Sequence, residues 1–352
     1  GVIEDVVLGW VRDLLHLPGG GSGAIVTGTQ MANVVGLMAA RHQVLELAGW
    51  DVEADGLFGA PPITVVVGGE RHTAVDRALR YLGLGTSCVT ALPVDANGAM
   101  DPSGLAEALA GTGPAIVVTQ AGNVNTGAFD PIGTVCDIAH EHAAWVHVDG
   151  AFGLWAAAAP RFAHLLEGYE AADSFAVDLH KWLNAPYDGS VVLTAHPDAH
   201  RAAMAMSAAY LTPGEHREAI DWNPEMSRRA RAVPAWAILR SLGRDGVADL
   251  VERLCDRATR FAEHLSAAEG VEVLNDVVLN QVLVRFGDDD EVTRATVRAV
   301  QEDGTCWCGG TVWQGRAAMR ISVSNWSTTD ADVDRSVDAI LGCFADRSRS
   351  GG

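Results

Sequence analysis

Lysine is almost absent from this sequence. Of the 25 lysine and arginine residues among the 352, only Lys181 is a lysine. A guanidinium stays protonated, whereas a lysine ammonium can lose its proton when it is desolvated and can then attack a carbonyl to form a Schiff base. Lys181 is therefore either a survivor of biased composition or a residue kept for the chemistry of a free amine.

An excess of positive charge and long apolar runs are also missing. The formal net charge is −20, which argues against nucleic-acid backbones and anionic membrane surfaces as partners because both require a basic face. No apolar run reaches the roughly 18 residues of a membrane span, and residues 1–4 lack the basic-then-apolar pattern of a secretory signal. We therefore expect a soluble, cytoplasmic protein with no nucleic-acid or membrane partner.

The sequence has few cysteines, and their spacing is not that of a metal site. The six cysteines are scattered, and Cys306 and Cys308 form the one close pair. No further cysteine or histidine accompanies this pair at a recognisable ligand spacing. Buried free thiols are the expected state, and no metal is predicted.

Strand-like and helix-like segments alternate through the first two hundred residues. A helix is predicted over 2–17, and a second, long helix follows the apolar run 24–26 and the turn 27–30. Strand-like runs follow at 63–67, 87–92, 115–119, 145–148, 174–177 and 190–194. This alternation predicts an α/β fold with a largely parallel sheet covered by helices on both faces. Ligands bind beyond the carboxyl ends of such strands, where Asn123, Asp149 and Lys181 lie.

The pattern changes after Pro197. Residues 211–227 are polar, contain two prolines and have no clear period, so they form either a mobile active-site loop or a linker. Beyond them we predict helices near 232–242, 245–268, 291–302 and 330–344, and strands near 271–274, 281–286, 305–313 and 318–323. We therefore predict a large domain over 1–226 and a smaller α+β domain over 227–352.

The candidate polar residues match the requirements of pyridoxal 5′-phosphate (PLP). Lys181 would join the cofactor's aldehyde, and the turn 27–30 at a helix N-terminus would suit its phosphate. Asp149 would keep the pyridine nitrogen protonated, so that the ring accepts electrons. His72 would stack on the ring and act as an acid or base. Taken singly, the turn is also an ordinary helix cap, Asp149 a turn former and His72 a surface residue.

Several motifs resemble those of one known family. They lie at 26–33, 39–41, 72, 120–130, 146–153, 172–182, 227–230 and 320–325. Together they resemble the group II PLP-dependent amino acid decarboxylases, which include the glutamate and aromatic amino acid enzymes. The resemblance implies a fold-type-I PLP enzyme that acts as a homodimer on a small amino acid.

The resemblance also implies roles for individual residues. Lys181 would be the Schiff-base lysine, with Asp149 and His72 as the other catalytic residues. The cofactor would be bound by Gly28, Thr29 and Gln30 with His180 at the phosphate, by His72 and Ala151 on the two ring faces, by Asn123 at the phenolic oxygen, and by Asp149 and Lys181. Arg320 would bind the substrate carboxylate through bidentate hydrogen bonds, or else form a structural salt bridge.

Three departures from the family pattern leave alternatives open. The phosphate turn reads Thr-Gly-Thr-Gln, and no segment matches the family's usual N-terminal segment. Residues 211–231 contain no tyrosine to reprotonate the substrate's Cα, so Tyr210 or His216 would replace it. We expect an L-amino acid α-decarboxylase. The alternatives are another PLP reaction, namely that of an aldehyde synthase, aminotransferase or lyase, and a truncated relative that binds PLP without turnover.

Overall fold

The computed structural model describes residues 1–206 and 217–350, with side chains as far as residue 346. Tyr210, His216 and the first part of the 211–227 segment lie outside the described residues. The chain divides into two compact units. The first contains Gly1–Gly122 and Phe129–Ala248, and the second contains Asn123–Ala128 and the chain from Asp249 onward. The division predicted between residues 226 and 227 stays a prediction.

The first unit is built around a seven-stranded sheet with the order β1-β7-β6-β5-β4-β2-β3. Its strands are β1 (Ser22–Val26), β2 (Thr64–Gly68), β3 (Val89–Leu92), β4 (Ala115–Gln120), β5 (Trp145–Asp149), β6 (Ser174–Asp178) and β7 (Ser190–Thr194). The helices are α1 (Val2–Leu14), α2 (Thr29–Leu47), α3 (Val52–Asp55), α4 (Thr73–Tyr81), α5 (Leu105–Leu109), α6 (Ile132–Glu141) and α7 (Pro197–Met204). The predicted α/β class and the mostly parallel sheet are confirmed.

Strand β7 is the exception to the parallel arrangement. It pairs antiparallel with both β1 and β6, whereas the four remaining pairings in the sheet are parallel. A parallel return needs a crossover of about a dozen residues or more, usually a helix. The segment 179–189 between β6 and β7 contains no helix, and the chain turns back directly.

Helix α2 packs across the sheet and is buried along most of its length. Every residue of β1, β4, β5, β6 and β7 is buried, as expected for strands covered on both faces. Gly36 of α2 lies where the helix passes over β5, and a Cβ at this position would come within 2.7 Å of Cε1 of His147. The glycine therefore permits a close contact between helix and strand.

Gly36→Ala is expected to destabilise the protein by about 1–3 kcal/mol through overpacking. Either the His147 ring or the α2 backbone must move to admit the methyl group. Gly9→Ala is the matched control, because Gly9 lies on the exposed side of helix α1 with nothing within 4 Å of its Cβ position. That substitution should instead raise stability slightly. Thermal denaturation of both variants checks the prediction, which fails if Gly36→Ala is as stable as Gly9→Ala.

The second unit contains an antiparallel sheet of four strands in the order β10-β11-β9-β8. They are β8 (Val271–Val273), β9 (Gln281–Phe286), β10 (Gly309–Trp313) and β11 (Arg316–Ser322), with helices α9 (Asp290–Asp303) and α10 (Asp330–Ser350). Helix α8 (Ala232–Ser266) begins in the first unit and ends in the second, and it is interrupted at Gly243, whose φ is 64°. This break confirms the prediction of two successive helices. Strand β10 begins at Gly309, so the predicted strand start at residue 305 was wrong.

Across residues 1–206 and 217–350, no helix combines the length and the apolar character needed to cross a lipid bilayer. In the same part of the chain, no three His, Cys, Asp or Glu side chains are grouped so that they could hold a metal ion.

Candidate active site

The carboxyl ends of several strands meet at one edge of the large sheet. Gln120 at the end of β4 is in register with Asp149 at the end of β5. Asp178 at the end of β6 pairs with Ser190, which pairs in turn with Val26 at the end of β1. Helix α2 begins directly after β1. This edge therefore brings two strand-end carboxylates together with a helix N-terminus.

Lys181 lies against a buried carboxylate at this edge. Its Nζ is 3.3 Å from Oδ2 of Asp178, and the Lys181 side chain is 41% exposed while that of Asp178 is 2% exposed. The other carboxylate oxygen, Oδ1, accepts a hydrogen bond of 2.9 Å from the Thr29 amide. Asp178 thus joins the only lysine of the chain to the start of α2. The sequence analysis did not assign Asp178 a role, although its spacing of three residues from Lys181 was a usable signal.

The start of α2 retains a polar group that suits an anion. Gly28 is the N-cap of this 19-residue helix, and the Thr29 amide is occupied by Asp178. Oγ1 of Thr29 is buried and has no hydrogen-bond partner among the residues that the structure describes. The Gln30 side chain donates to the Ala74 carbonyl at 3.1 Å. A buried hydroxyl lacking a partner at a helix N-terminus fits the phosphate of PLP.

His180 faces the same helix start. Its Nδ1 accepts a hydrogen bond from the Gly189 amide at 3.2 Å, so the proton of the neutral ring is on Nε2, 3.4 Å from Oδ2 of Asp178. The Tyr187 ring stacks on the His180 ring with centroids 4.2 Å apart. A Cβ at Gly28 would lie 3.4 Å from Cε1 of His180. His180 is therefore placed beside the predicted phosphate turn, and Tyr187, which sequence reasoning missed, orients it.

Asp149 is fixed by two neutral N–H donors. Asp149 is only 5% exposed. Its Oδ2 accepts a hydrogen bond of 2.9 Å from Asn33 Nδ2, and its Oδ1 accepts one of 3.2 Å from the Ala151 amide. The Ala151 carbonyl accepts from the Asp178 amide at 2.9 Å. One residue thus links Asp149 to the strand end that holds Lys181.

His72 begins helix α4 at the same edge. Its Nδ1 accepts from the Ala74 amide at 3.1 Å, and its backbone N–H donates to the Gln120 side chain at 3.2 Å. Gln120 is the register partner of Asp149, so the backbone of His72 is bonded to the strand next to the one that carries that carboxylate. The Nδ1 contact places the ring proton of neutral His72 on Nε2.

Asn123 and Arg320 belong to the second unit. Oδ1 of Asn123 accepts from the Asn125 and Thr126 amides at 2.9 and 3.3 Å, and so shapes its own turn. Arg320 donates to the Val124 carbonyl at 3.4 Å, and burial lowers the pKa of its guanidinium. In the described part of the chain Arg320 forms no ion pair, and the structural salt bridge stays an untested alternative. The binding roles of Asn123 and Arg320 stay predictions.

Comparison with known proteins identifies the family to which this chain belongs. Residues 2–286 match the pyridoxal-dependent decarboxylase conserved domain, which spans most of this chain. The chain belongs to this pyridoxal-dependent decarboxylase family. The predicted family, enzyme class and PLP cofactor are thereby confirmed. By class the protein is a PLP-dependent carboxy-lyase.

Individual members of the family are moderately similar to the chain. Tryptophan decarboxylase 1 of Oryza sativa subsp. japonica is 28% identical over 361 residues, covering 92% of this chain and 69% of the relative. The 4-hydroxyphenylacetaldehyde synthase of Rhodiola rosea is 28% identical over 357 residues, covering 94% and 71%. A crystal structure of Oryza sativa TDC with PLP and tryptamine superposes with a TM-score of 0.90 at 26% identity, covering 98% of this chain and 76% of that one.

Proposed function

We propose that this decarboxylase family member is an L-amino acid α-decarboxylase that releases carbon dioxide and an amine. One observation carries the proposal. The only lysine of the chain contacts Asp178, whose carboxylate also binds the first amide of α2, while Asp149 ends the adjacent strand. An amine, an anion site and a second carboxylate therefore lie at the edge where open α/β sheets bind ligands.

PLP supplies an aldehyde that links to amines and a ring that accepts electrons. We assign Lys181 Nζ to hold that aldehyde until the substrate amine replaces it. Asp178, at 3.3 Å from this nitrogen, orients the amine. We assign Asp149 to bind the protonated ring nitrogen. Both present donors to Asp149 are neutral, and its negative charge therefore remains available to that cation.

The other predicted cofactor-binding residues of the first unit would bind the phosphate and the two faces of the ring. We assign Thr29 and His180 as phosphate donors, together with Gly28 and Gln30. The Thr29 hydroxyl has no partner among the described residues, and neutral His180 carries its proton on Nε2. In neutral His72 the ring proton is on Nε2. We assign the face of this imidazole to stack on the cofactor ring, and the imidazole to move a proton at the reacting carbon. The ring-face contact of Ala151, the homodimer and the cytoplasmic location stay predictions.

A second function is decarboxylation coupled to oxidative deamination. The Rhodiola rosea relative is a 4-hydroxyphenylacetaldehyde synthase at 28% identity, and residues 211–231 lack a tyrosine. Without a proton donor at Cα, dioxygen could instead accept two electrons from the substrate. One amino acid, one dioxygen and one water would then give an aldehyde, carbon dioxide, ammonia and hydrogen peroxide.

Product analysis of the PLP-loaded enzyme separates these functions. We expect carbon dioxide and the matching amine in equal amounts from at least one of a panel of aromatic, acidic and diamino L-amino acids. Aldehyde and peroxide in equal amounts, with uptake of dioxygen, would assign the second function. Full cofactor occupancy without any product from the panel would contradict both and favour a PLP-binding protein without turnover.

A further inference from the structure

A single file of buried polar side chains runs through the first unit and ends on Asp149. Trp145 Nε1 donates to Ser174 Oγ at 2.8 Å, and Ser174 Oγ lies 2.7 Å from His147 Nδ1. His147 Nε2 lies 3.0 Å from Asn33 Oδ1, and Asn33 Nδ2 donates to Asp149 Oδ2 at 2.9 Å. None of the five residues is more than 5% exposed. We call these five residues the Asp149 relay.

The chemistry of the two ends fixes every proton in the relay. The indole of Trp145 is only a donor, and the Asp149 carboxylate is only an acceptor. Asn33 must turn its NH₂ toward Asp149, because the opposite orientation would place two oxygens 2.9 Å apart. Its oxygen then accepts from Nε2–H of His147. The Nδ1 of His147 accepts from the Ser174 hydroxyl, and all four bonds point toward Asp149.

His147 is the element that makes this direction possible. Burial lowers the pKa of His147 to about 3, so the ring carries one proton, which the Asn33 oxygen holds on Nε2. An imidazolium would donate at both nitrogens and would compete with a pyridinium for the charge of Asp149. A neutral ring instead passes hydrogen-bond polarisation along the file without adding a charge.

We propose that Asn33, His147 and Ser174 are positioning residues that hold Asp149, through this one-directional relay, as a fixed anion for the ring nitrogen of PLP. The proposal rests on the role assigned to Asp149 under the proposed function. None of the three residues touches the reacting atoms in this assignment. Their effect is to fix the rotamer of the carboxylate through a single bond to Oδ2, while the Ala151 amide binds Oδ1.

Two substitutions at one position separate this role from simple packing. His147→Gln keeps an N–H donor near the place of Nε2 and can still bind Asn33. His147→Asn places its amide near Nδ1, keeps the contact to Ser174 and leaves the Asn33 oxygen without a donor. Both replace the ring by a smaller neutral amide, so both lose packing. Only His147→Asn breaks the relay on the side of Asp149.

The readouts are the cofactor dissociation constant and the pH at which the visible absorption band of bound PLP changes, both measured without amino acid. In His147→Asn the ring nitrogen is held less firmly in its protonated form. A less positive ring nitrogen raises the pKa of the nitrogen that links PLP to Lys181, and the visible band reports the proton on that linking nitrogen. We expect the dissociation constant to rise about tenfold and the titration midpoint to move upward by up to about one pH unit, the size of one hydrogen bond. His147→Gln should restore most of both values.

His200 provides a matched control. It is fully buried, its Nδ1 lies 2.9 Å from Ser22 Oγ and its Nε2 lies 2.9 Å from the Trp222 carbonyl. Burial lowers the pKa of His200 to about 4, so its ring is neutral as well. Its hydrogen bonds end on a backbone carbonyl and not on Asp149. His200→Asn should lower the melting temperature as His147→Asn does, with no change in the titration midpoint.

Two outcomes would overturn the relay: equal midpoints and dissociation constants in His147→Asn and His147→Gln, or an equal shift in His200→Asn. Melting temperatures of the cofactor-free variants show whether each one is folded. These measurements need no turnover. If no amino acid yields a product, the proposed function fails while the relay can still be tested on bound PLP.

Discussion

Lys181→Arg is expected to reduce turnover on the order of 10³-fold or more, because it removes the only lysine amine with which a carbonyl can form a Schiff base. The substitution keeps a positive charge beside Asp178, whose Oδ2 lies 3.3 Å from Nζ of Lys181. Arginine does not deprotonate and cannot form the Schiff base. Loss of general acid–base catalysis alone is worth about 10²–10⁴-fold, and here the attachment of the cofactor is lost too. Turnover is measured as carbon dioxide released by the PLP-saturated protein.

The uniqueness of Lys181 allows a direct chemical control. Borohydride reduction of the PLP-loaded wild-type protein should fix one pyridoxyl group, and peptide mass analysis should find it on Lys181, the only lysine. Lys181→Arg and Lys181→Ala should remain unlabelled. Lys181→Ala also lacks the charge, so a difference between the two variants in cofactor affinity measures the ionic contribution. Turnover within tenfold of wild type in Lys181→Arg would contradict the assignment.

Asp149→Asn is expected to lower turnover by about 10²–10³-fold, the effect found when a charge-stabilising group is removed from an active site. The amide is nearly the same shape but carries no negative charge to hold a proton on the ring nitrogen. In the wild-type protein, N–H groups of Asn33 and Ala151 both donate to Asp149. The asparagine side chain would turn its own NH₂ toward one of these donors, so one hydrogen bond would be lost. Labelling of Lys181 by borohydride should survive, since that linkage does not use Asp149.

A cofactor analogue isolates the partner of Asp149. Replacing the ring nitrogen of PLP by carbon removes the atom on which Asp149 is assigned to act. If that assignment holds, Asp149→Asn costs little further activity with the analogue, because two changes to one interaction are not additive. Additive losses would show that Asp149 acts elsewhere. Asp178→Asn, on the neighbouring strand, serves as the control, since Asp178 contacts Lys181 and not Asp149. The loss of turnover in Asp178→Asn should add to the loss of turnover caused by the analogue.

Much of the fold follows from local patterns in the chain. Strands such as β4 and β6 are buried on both faces, so their apolar character is continuous and visible in the sequence. The reversal of β7 was not predicted, because burial does not encode strand direction. Its cause lies in the helix-free connection 179–189, which could have been used as a signal.

Some residues of the candidate site were also visible in the sequence, whereas others were found only in the structure. Lys181 stood out because it is the one lysine among 352 residues, and Asp149 stood out because it ends an apolar strand. Asn33 and His147 are 114 positions apart, and Ser22 and His200 are 178 apart. No periodicity relates such pairs, although Asn33 and His147 both lie inside the motifs that carry the family resemblance.

The sequence by itself determined that an amine, an acid and a helix start would each follow an apolar strand, because composition and hydrophobic period are local properties. Only the tertiary structure decided which donors reach each carboxylate. Asp178 acquires its contact with the Thr29 amide, and Asp149 its contact with Asn33, when α2 packs across the sheet at Gly36. The contacts that bring these donors and acceptors together arise from this packing between segments far apart in the chain.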